Sequence, residues 1–249
     1  MSTLQDKVKE VLQSGIHPIT FQFEPVVFFE GNTRVLRSFM VINSLELGVL
    51  GYKQYRFVAR RTKQGDHLIE RHIEKLLRAF PQLSEQYGGL DAVTIPVYAR
   101  LLRDGLLAKM LMEGFALFPR VKPEHICIEL SADILYEDME DARMRIDELR
   151  DIGVKVAICE VGDEFCPVFR LSKIMFDYAF MDTYTTDSLD REDATQIAGS
   201  MVNYLHYLGV KTIAPLLNSK EKIFGAKAVN CDGYTLDPDV NWEEVAANE

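Results

Sequence analysis

Three carboxylate side chains lie near the ends of predicted β-strands. Glu129, Glu160 and Asp182 each stand at or near the end of a different short apolar run. In a parallel α/β barrel the carboxyl ends of the strands meet at one mouth, and Mg²⁺ and Mn²⁺ prefer oxygen ligands. The three groups could therefore hold a divalent cation together. The plainer interpretation is favoured by the sequence alone: each carboxylate caps a helix or pairs with a nearby Lys or Arg.

No other set of reactive side chains is typical of a catalytic site. His67 and His72 are five positions apart, so they do not share a helical face as zinc ligands do. The five His and four Cys show no zinc spacing, and the sequence has no P-loop, G-x-S-x-G or G-x-G-x-x-G motif. Cys159 and His125 can be imagined as a nucleophile and its base, but nothing in the sequence indicates a lowered thiol pKa.

The segment YKQYRFVARRTK, residues 52–63, combines basic and aromatic side chains. Such a combination occurs on surfaces that bind nucleotides, where rings stack on bases and cations meet phosphates. It occurs more often on a solvated face whose aliphatic stems pack on the core. We favour the solvated face, and contact with a ligand stays the alternative.

Short apolar runs alternate with helical patterns along the chain. The runs are nearly continuously apolar, as strands covered on both faces are. Predicted strands occupy residues 19–29, 34–42, 92–98, 125–131, 154–161, 178–182, 210–217 and 228–234. Predicted helices occupy residues 4–14, 66–80, 99–118, 137–151 and 191–208.

The helix predicted at residues 191–208 shows how its faces and ends are assigned. Asp190 is a plausible N-cap, and Gly209 is expected to end the helix. The apolar stripe that we expect to face the core consists of Ile197, Met201, Leu205 and Leu208.

Alternation of strands and helices predicts β-α-β units and a parallel sheet. About eight strands in a chain of 249 residues favour closure into a barrel over an open sheet. We therefore expect an α/β fold with a TIM-like (β/α)8 barrel in a single domain. Residues 1–19 are expected to form an N-terminal helical extension, and residues 20–249 the barrel domain.

Composition and charge narrow the class of protein. The net charge is −10, with +4 in residues 1–124 and −14 in residues 125–249, which argues against non-specific binding of nucleic acid. The opening segment MSTLQDKVKE has no apolar stretch typical of a secretory signal, and no segment is long and apolar enough to span a membrane. The cysteines form no C-x-x-C pair and are expected to be reduced thiols. We expect a cytoplasmic protein.

Several segments resemble the EAL domain, the barrel of bacterial cyclic di-GMP phosphodiesterases. Residues 126–163, ICIELSADILYEDMEDARMRIDELRDIGVKVAICEVGD, resemble the family's L-E-I-T-E strand, the helix after it, its R-x-x-G-V turn and its D-D-F-G strand. FEPVV (23–27) is similar to Y-Q-P-I-V, GVKTIAPLLNSKE (209–221) to G-x-x-x-V-A-E-G-V-E-T-x-E, and DGYTLDP (232–238) to Q-G-Y-x-x-G-x-P. The resemblance runs from about Thr20 to Pro238 and implies a TIM-like barrel of the EAL type.

The family uses two divalent metals to hold the phosphodiester and activate a water, and this sequence departs from most of the ligand positions. The residues that replace family ligands are Ser38 for the Glu of E-A-L, Pro96 for the metal-binding Asn, Cys159 and Glu160 for the paired Asp, Phe180 for the Lys of K-x-D, and Pro215 and Asn218 for the Glu residues of E-G-V-E. Ile42 falls on the Arg that contacts phosphate, and Ala132 on the second Glu of L-E-I-T-E. Glu129 and Asp182 keep the family's carboxylates.

These losses imply a catalytically inactive EAL-like domain that acts as a protein-interaction or regulatory module in bacterial signalling. The alternative is a receptor that binds cyclic di-GMP without hydrolysing it, and residual phosphodiesterase activity is less favoured. No catalytic residue and no cofactor are expected, although Glu129 and Glu160 could hold Mg²⁺ or Mn²⁺ weakly. The expected partner is another protein, and cyclic di-GMP is the alternative partner. Homodimerisation is left open.

The letters G-D-E-F at residues 162–165 match part of the signature of a class of bacterial signalling cyclases. In those cyclases the signature lies on a hairpin of a different fold. Val161 stands where the first Gly of that signature would be. We therefore interpret the match as a coincidence of letters on the loop that follows the strand predicted at residues 154–161.

Overall fold

The computed structural model describes residues 3–15, 17–163 and 166–243. The strands are β1 (Ile19–Phe28), β2 (Val35–Ser44), β3 (Gly48–Leu50), β4 (Ala92–Val97), β5 (Ile126–Ser131), β6 (Lys155–Val161), β7 (Tyr178–Met181), β8 (Lys211–Leu217) and β9 (Gly233–Leu236). The helices are α1 (Leu4–Ser14), α2 (Tyr52–Ala59), α3 (Gln64–Gln86), α4 (Ala99–Arg103), α5 (Leu106–Leu117), α6 (Met139–Ile152), α7 (Val168–Leu171), α8 (Thr183–Asp187), α9 (Glu192–Tyr207) and α10 (Lys220–Ala228). In these parts of the chain, none of the helices has both the length and the apolar character needed to cross a bilayer.

Eight of the described strands close into a barrel. Their hydrogen-bonded order is β1, β9, β8, β7, β6, β5, β4 and β2, and β1 pairs with β2 to complete the ring. Strands β2 and β4 to β9 run parallel, whereas β1 is antiparallel to both of its neighbours. Strand β3 forms a short antiparallel hairpin with β2 outside the ring. The predicted α/β fold with a TIM-like barrel is confirmed, with one strand reversed.

The reversal of β1 follows from its connection to β2. Only residues 29–34 separate the two strands, whereas a parallel neighbour needs a crossover of about a dozen residues or more. The expectation of uniformly parallel β-α-β units is therefore wrong at the start of the barrel. Both strands themselves were predicted, at residues 19–29 and 34–42.

Two apolar layers hold the barrel. The inner layer fills the ring with side chains from its strands, namely Val26, Val35, Ala92, Cys127, Ala157, Tyr178, Phe180 and Ile213. The largest outer cluster lies between the strands and the surrounding helices, and Val8, Val11 and Leu12 of α1 belong to it. The predicted N-terminal extension, residues 1–19, thus contributes a helix to the same core as the barrel.

Helix α9 lies where the sequence predicts it but is rotated. Its N-cap is Arg191, whose side chain makes no capping hydrogen bond, so the assignment of Asp190 is wrong. The buried residues are Ala198, Val202 and Leu205, and Ile197 is 73% exposed. Leu205 is buried as predicted, and Met201 and Leu208 pack partly against the core. Ala198 and Val202 take the most buried positions, one residue after the predicted Ile197 and Met201, because both sets fit spacings of three and four residues.

The helix predicted at residues 99–118 is divided into α4 and α5. The division falls at Gly105, which has φ of 68° and makes the reversal that a β-carbon would hinder. Helix α3 is longer than predicted and continues past Pro81 to Gln86. Helix α2, in the basic and aromatic segment, was not predicted.

A buried histidine lies behind β2, on the outside of the barrel. The Ser38 hydroxyl donates to the backbone carbonyl of Thr94, so His72 Nε2, at 2.8 Å, must donate to the Ser38 oxygen. This assigns the proton of the neutral ring to Nε2, and Nδ1 has no partner among the described residues. Burial lowers the pKa of His72 from 6.5 to about 3. The folded protein therefore keeps this imidazole neutral where the unfolded chain would protonate it.

His72 is predicted to make the protein less stable in mild acid. Its folded pKa is depressed, so its contribution is fully present above the unfolded pKa of 6.5 and is lost as the pH falls from 6.5 towards 3. Between about pH 7 and pH 5 the loss amounts to about 2 kcal/mol. Urea unfolding of the wild type and of His72→Gln is measured at both pH values. The contribution of His72 is the fall in the free energy of unfolding from pH 7 to pH 5 in the wild type minus the same fall in His72→Gln.

The matched control is His67→Gln, because His67 lies on the same helix with a side chain that is 79% exposed. The control is expected to keep the pH dependence of the wild type. An equal pH dependence in His72→Gln and the wild type would contradict the assignment.

Candidate functional site

A cavity of about 680 Å³ opens at the mouth of the barrel. It lies at the carboxyl ends of the parallel strands, where TIM-like barrels bind ligands. Residues of β2 and β5 form its floor, α2 forms one wall, and the segments after β7, β8 and β9 form the opposite side. Its volume is in the range of pockets that hold small molecules.

A buried ion pair forms the floor of this cavity. Arg37 on β2 reaches past β4, inside the barrel, to Glu129 on β5 with two parallel hydrogen bonds: Nε donates to Oε2 at 3.0 Å, and Nη2 donates to Oε1. Thr94 Oγ1 donates to Glu129 Oε2 at 3.1 Å. Both oxygens of Glu129 are therefore engaged by groups of the protein itself.

A second carboxylate and two rings complete the surroundings of Arg37. Glu24 on β1 lies beside it, with Oε2 3.4 Å from Nη1. The guanidinium carbon is 4.2 Å from the ring centre of Phe180 and 4.9 Å from that of Phe39, distances at which a cation is attracted to the ring face. Only 7% of Arg37 is exposed. The sequence analysis did not single out Arg37 or Glu24.

The protonation states follow from this arrangement. Burial disfavours the charged form of Arg37, but Glu129 and Glu24 outweigh it and raise the pKa of the guanidinium. Burial raises the pKa of Glu24, and the charge of Arg37 opposes that shift. The floor therefore holds a fixed positive charge matched mainly by Glu129.

Ser38 does not lie at the mouth, and its assignment to a former metal-ligand position is corrected. Successive residues of a strand point to opposite faces. Arg37 and Phe39 point into the barrel, so Ser38 between them points outward to His72. The comparison of sequences is one residue out of register here, and the inward positions on β2 are held by Arg37 and Phe39.

Glu160 lies at the end of β6 and points towards α2. Its backbone has φ of 63°, after a register shift between β6 and β7. Its carboxylate accepts from Arg56 Nη1 at 2.9 Å and lies 3.9 Å from Arg60 Nη2. Glu160 and Glu129 line the same cavity, but different arginines hold their carboxylates, so the two residues that were predicted as weak metal ligands are each engaged by the protein itself.

Asp182 caps the short helix that follows β7. Its side chain accepts a hydrogen bond from the backbone N–H of Tyr184 at 2.7 Å. The plainer interpretation of the three strand-end carboxylates is thus confirmed: Glu129 and Glu160 pair with arginines, and Asp182 caps a helix.

The other former ligand positions lie at or near the mouth. Cys159, Phe180, Pro215 and Asn218 line the cavity, and Pro96 lies next to Glu129 in the sheet register. Burial raises the pKa of the Cys159 thiol well above its usual value. His125 stacks on Phe80 instead, with ring centres 5.1 Å apart, at the opposite end of β5 from the mouth. The imagined pair of Cys159 and His125 is excluded.

The basic and aromatic segment 52–63 forms the α2 wall. Tyr52, Lys53, Arg56 and Arg60 line the cavity, whereas Arg61 and Lys63 are exposed outside it. Tyr55 and Ala59 anchor the helix in the core. A signal for this wall was present in the composition of the segment, but its position in the barrel was not.

The G-D-E-F letters follow β6 of the barrel. Gly162 has φ of 98° and begins the loop with Asp163. Glu164 and Phe165 lie outside the described residues. The part that the structure describes follows a barrel strand rather than forming a hairpin, in agreement with a coincidence of letters.

Removal of Arg37 is predicted to destabilise the protein by about 3–5 kcal/mol, because it leaves Glu129 buried without a partner. The variant is Arg37→Met, measured by urea unfolding near neutral pH. Adding Glu129→Gln to Arg37→Met removes the orphaned charge and is expected to restore more than half of the loss.

Arg78→Met is the control, since Arg78 forms an exposed pair with Glu74 and should cost about 0.5 kcal/mol or less. A loss below about 1 kcal/mol in Arg37→Met, or a double variant no more stable than the single one, would show that the floor does not depend on this pair.

Comparisons with known proteins agree with the barrel fold. The model of the family described as EAL domain matches residues 10–235. A protein of Caulobacter vibrioides (strain ATCC 19089 / CIP 103742 / CB 15) described as an uncharacterized signaling protein is 22% identical over 120 residues, which are 47% of this chain and 15% of that protein. This chain therefore spans a small part of the length of that relative.

Solved structures show the same fold at low sequence identity. The PaMucR phosphodiesterase in complex with c-di-GMP superposes with a TM-score of 0.81 at 14% identity, over 94% of each chain. The FimX EAL domain from Pseudomonas aeruginosa bound to c-di-GMP superposes with a TM-score of 0.76 at 14% identity, again over 94% of each chain. The family match covers most of the chain, and the fold agrees with it. The chain belongs to the EAL domain family.

Proposed function

We propose that this chain is a catalytically inactive EAL domain that acts as a regulatory, protein-interacting module in cyclic di-GMP signalling. The observation that carries the proposal is the guanidinium of Arg37, held between Glu24 and Glu129 on the floor of the mouth. A protein cation engages Glu129, a carboxylate that the resemblance makes one of the family's metal ligands.

The residues present do not fit a pair of divalent cations. Such an ion takes about six oxygen ligands, several of them anionic. Glu129 is engaged by Arg37 and Thr94, and Glu160 is held by Arg56. In the described parts of the chain, no three His, Cys, Asp or Glu side chains are grouped so that they could hold an ion.

A guanidinium replaces the charge of a metal but not its chemistry. It neutralises neighbouring carboxylates, yet it has no open coordination position and does not lower the pKa of a bound water. Phe180 and Pro215 also offer no side-chain base or ligand where the resemblance places a Lys and a Glu. The floor can bind and orient a ligand, but it supplies no activated water.

Hydrolysis is predicted to be absent. Pure protein incubated with cyclic di-GMP and either Mg²⁺ or Mn²⁺ is expected to release no product above the no-enzyme blank, as followed by chromatography. An active EAL phosphodiesterase is assayed in parallel as the positive control for the substrate and the metal. Turnover above about 0.1 per second, near the low end of enzyme rates, would overturn the proposal.

Regulation through another protein is consistent with a barrel whose catalytic floor is closed. Large apolar side chains are exposed on α8, α9 and α10: Tyr184 is 82% exposed, Ile197 73% and Phe224 70%. Such residues are available for contact with a partner. The identity of that partner is not indicated by the chain.

A second candidate is a receptor that binds cyclic di-GMP without hydrolysing it. The observation that favours it is the open cavity, which keeps three cationic side chains on the α2 wall. Two of the solved EAL structures of similar fold contain c-di-GMP. Against it, seven carboxylates and four basic groups line the cavity, so the mouth as a whole repels a dianion.

The receptor candidate predicts saturable binding of cyclic di-GMP in the presence of EDTA. The single tryptophan, Trp242, is a suitable probe because its Nε1 donates to the backbone carbonyl of Asp237 at 3.1 Å, and Asp237 lines the cavity. Fluorescence titration, checked by calorimetry, measures the dissociation constant. Absence of binding at about 1 mM, where even weak ligands are detected, would exclude the receptor candidate. The protein-interaction proposal would then be the only one of the two that remains.

A further inference from the structure

Helix α2 presents three positive side chains to the mouth cavity from one face. Lys53, Arg56 and Arg60 follow one another at spacings of three and four residues, which places them side by side on a helix. All three line the cavity. Tyr55 and Ala59, on the opposite face, are buried in the core, so the basic face is fixed in its direction.

The positive charge of this wall is only partly compensated. Arg56 pairs with Glu160, and Arg60 lies 3.0 Å from Asp133 Oδ2 and 3.9 Å from Glu160 Oε2. Lys53 forms no ion pair within the part of the chain that the structure describes. Three cations therefore share two carboxylates, and the α2 wall has a positive charge to spare.

The hydroxyl of Tyr98 lies on the cavity wall beside these guanidinium groups. Tyr98 lines the cavity, and its hydroxyl forms no hydrogen bond with any described residue. Burial raises the pKa of Tyr98, and the charges of Arg60 and Arg56 oppose that shift, which places both near the phenol. The hydroxyl is not among the buried polar atoms that lack a partner, so it is open to the cavity and can donate to a ligand oxygen.

An aromatic surface adjoins the basic face. Tyr52 lines the cavity and lies against Phe39, with ring centres 5.2 Å apart. Its ring is braced edge-on by Tyr55, at 5.8 Å. Exposed rings next to cations are the arrangement on which nucleotide bases stack while phosphates meet the positive charges.

The opposite side of the cavity is acidic. Asp182, Asp187, Asp237 and Asp239 line it from the segments after β7 and β9. Asp187 is neutralised by Lys222, at 3.1 Å, whereas Asp239 has no cationic partner among the described residues. The cavity is therefore polarised, with phosphate-type acceptors favoured at α2 and N–H donors favoured across from it.

We propose that the α2 wall is a metal-independent phosphate subsite, formed by Lys53, Arg56, Arg60 and the hydroxyl of Tyr98, that holds a nucleotide with its base directed to the acidic side. This specifies the receptor candidate and goes beyond it, because it assigns the phosphate to helix α2 rather than to the floor. Glu160 gives up part of its hold on Arg56 when the phosphate binds. The polarity of the cavity selects a ligand with a phosphate at one end and N–H groups at the other.

Four probes separate the parts of such a ligand: inorganic phosphate, guanosine, guanosine monophosphate and cyclic di-GMP. Each is titrated into the whole chain in EDTA, and binding is followed by Trp242 fluorescence and calorimetry. Guanosine monophosphate, cyclic di-GMP or both are expected to bind at least tenfold more tightly than phosphate or guanosine alone. The two nucleotides distinguish a monoester from a cyclic diester as the source of the phosphate.

Substitutions in α2 test the assignment to this wall. Arg56→Gln is expected to weaken the binding of the better nucleotide by about tenfold or more, because it removes a charged donor from the phosphate. Arg61→Gln is the matched control: it removes the same charge from the same segment, but Arg61 does not line the cavity. It is expected to stay within about twofold of the wild type.

Tyr98→Phe gives a test that does not depend on an ion pair. The Tyr98 hydroxyl has no partner in the described structure, so its removal is expected to leave the urea midpoint unchanged. It is nevertheless expected to weaken nucleotide binding several-fold, since the hydroxyl donates only to the ligand. If the hydroxyl had a merely structural role, its removal would lower the urea midpoint and leave nucleotide binding unchanged.

Three results would overturn the proposal. They are no saturable binding of either nucleotide at about 1 mM, binding that requires Mn²⁺ or Mg²⁺, and equal affinity of Arg56→Gln and Arg61→Gln. The hydrolysis assay is independent of all three. Turnover of cyclic di-GMP with unchanged effects of the α2 variants would overturn the proposed inactivity and leave this subsite in place.

Discussion

The ion pair of Arg37 and Glu129 is the interaction on which the interior of this barrel depends. Without the guanidinium, Glu24 and Glu129 would be two carboxylates in a space lined by Phe39 and Phe180. An uncompensated buried charge costs several kcal/mol, so a cation is required there. The planar guanidinium supplies it with fixed donor directions, and this sets the orientation of Glu129. The floor of the mouth is therefore both neutralised and rigid, with both carboxylate oxygens of Glu129 engaged.

Two non-glycine residues near this floor have backbone conformations that their side chains disfavour. Glu160 and Leu216 have φ of 63° and 56° at the ends of β6 and β8, each beside a register shift. A non-glycine residue in the left-handed region costs about 1–2 kcal/mol, and Leu is an unusual choice for it. In the comparison with G-x-x-x-V-A-E-G-V-E, Leu216 falls on the second Gly of the pattern, where no such cost arises. The pairing of eight closed strands fixes these paths, so the shape of the mouth persists while its chemistry changes.

The sequence was sufficient for most of the barrel because apolar runs mark seven of its eight strands, and strand existence needs no knowledge of which face each residue takes. The strand predicted at residues 228–234 overlaps β9 only at Gly233 and Tyr234, because Ala228 ends α10 and residues 229–232 form the turn between that helix and β9. The site does need that knowledge. The run from Val35 to Ile42 is buried on both faces, so its hydrophobicity gives no phase, and Ser38 was placed one position away from the true inward residues. A signal was present in Arg37, a charge within a buried strand that must have a partner. Its partner lies 92 residues away, however, and only the order of strands shows that β2 and β5 are the two neighbours of β4 in the ring.

The direction of α2 is equally a product of tertiary structure. Its sequence is rich in aromatic and β-branched residues with modest helix propensity, and burial of Tyr55, whose hydroxyl donates to the Met40 carbonyl at 3.0 Å, holds the helix in place. The turn that follows is tight, since a β-carbon on Gly65 would lie 2.2 Å from the Ala59 carbonyl oxygen. Once α2 is fixed in this way, its cations must face the mouth. The positive charge of this wall comes from arginine and lysine, which attract and orient a phosphate but have no coordination position for a water. In such a mouth the binding of a phosphate ester and its hydrolysis are separated by the chemistry of the cation.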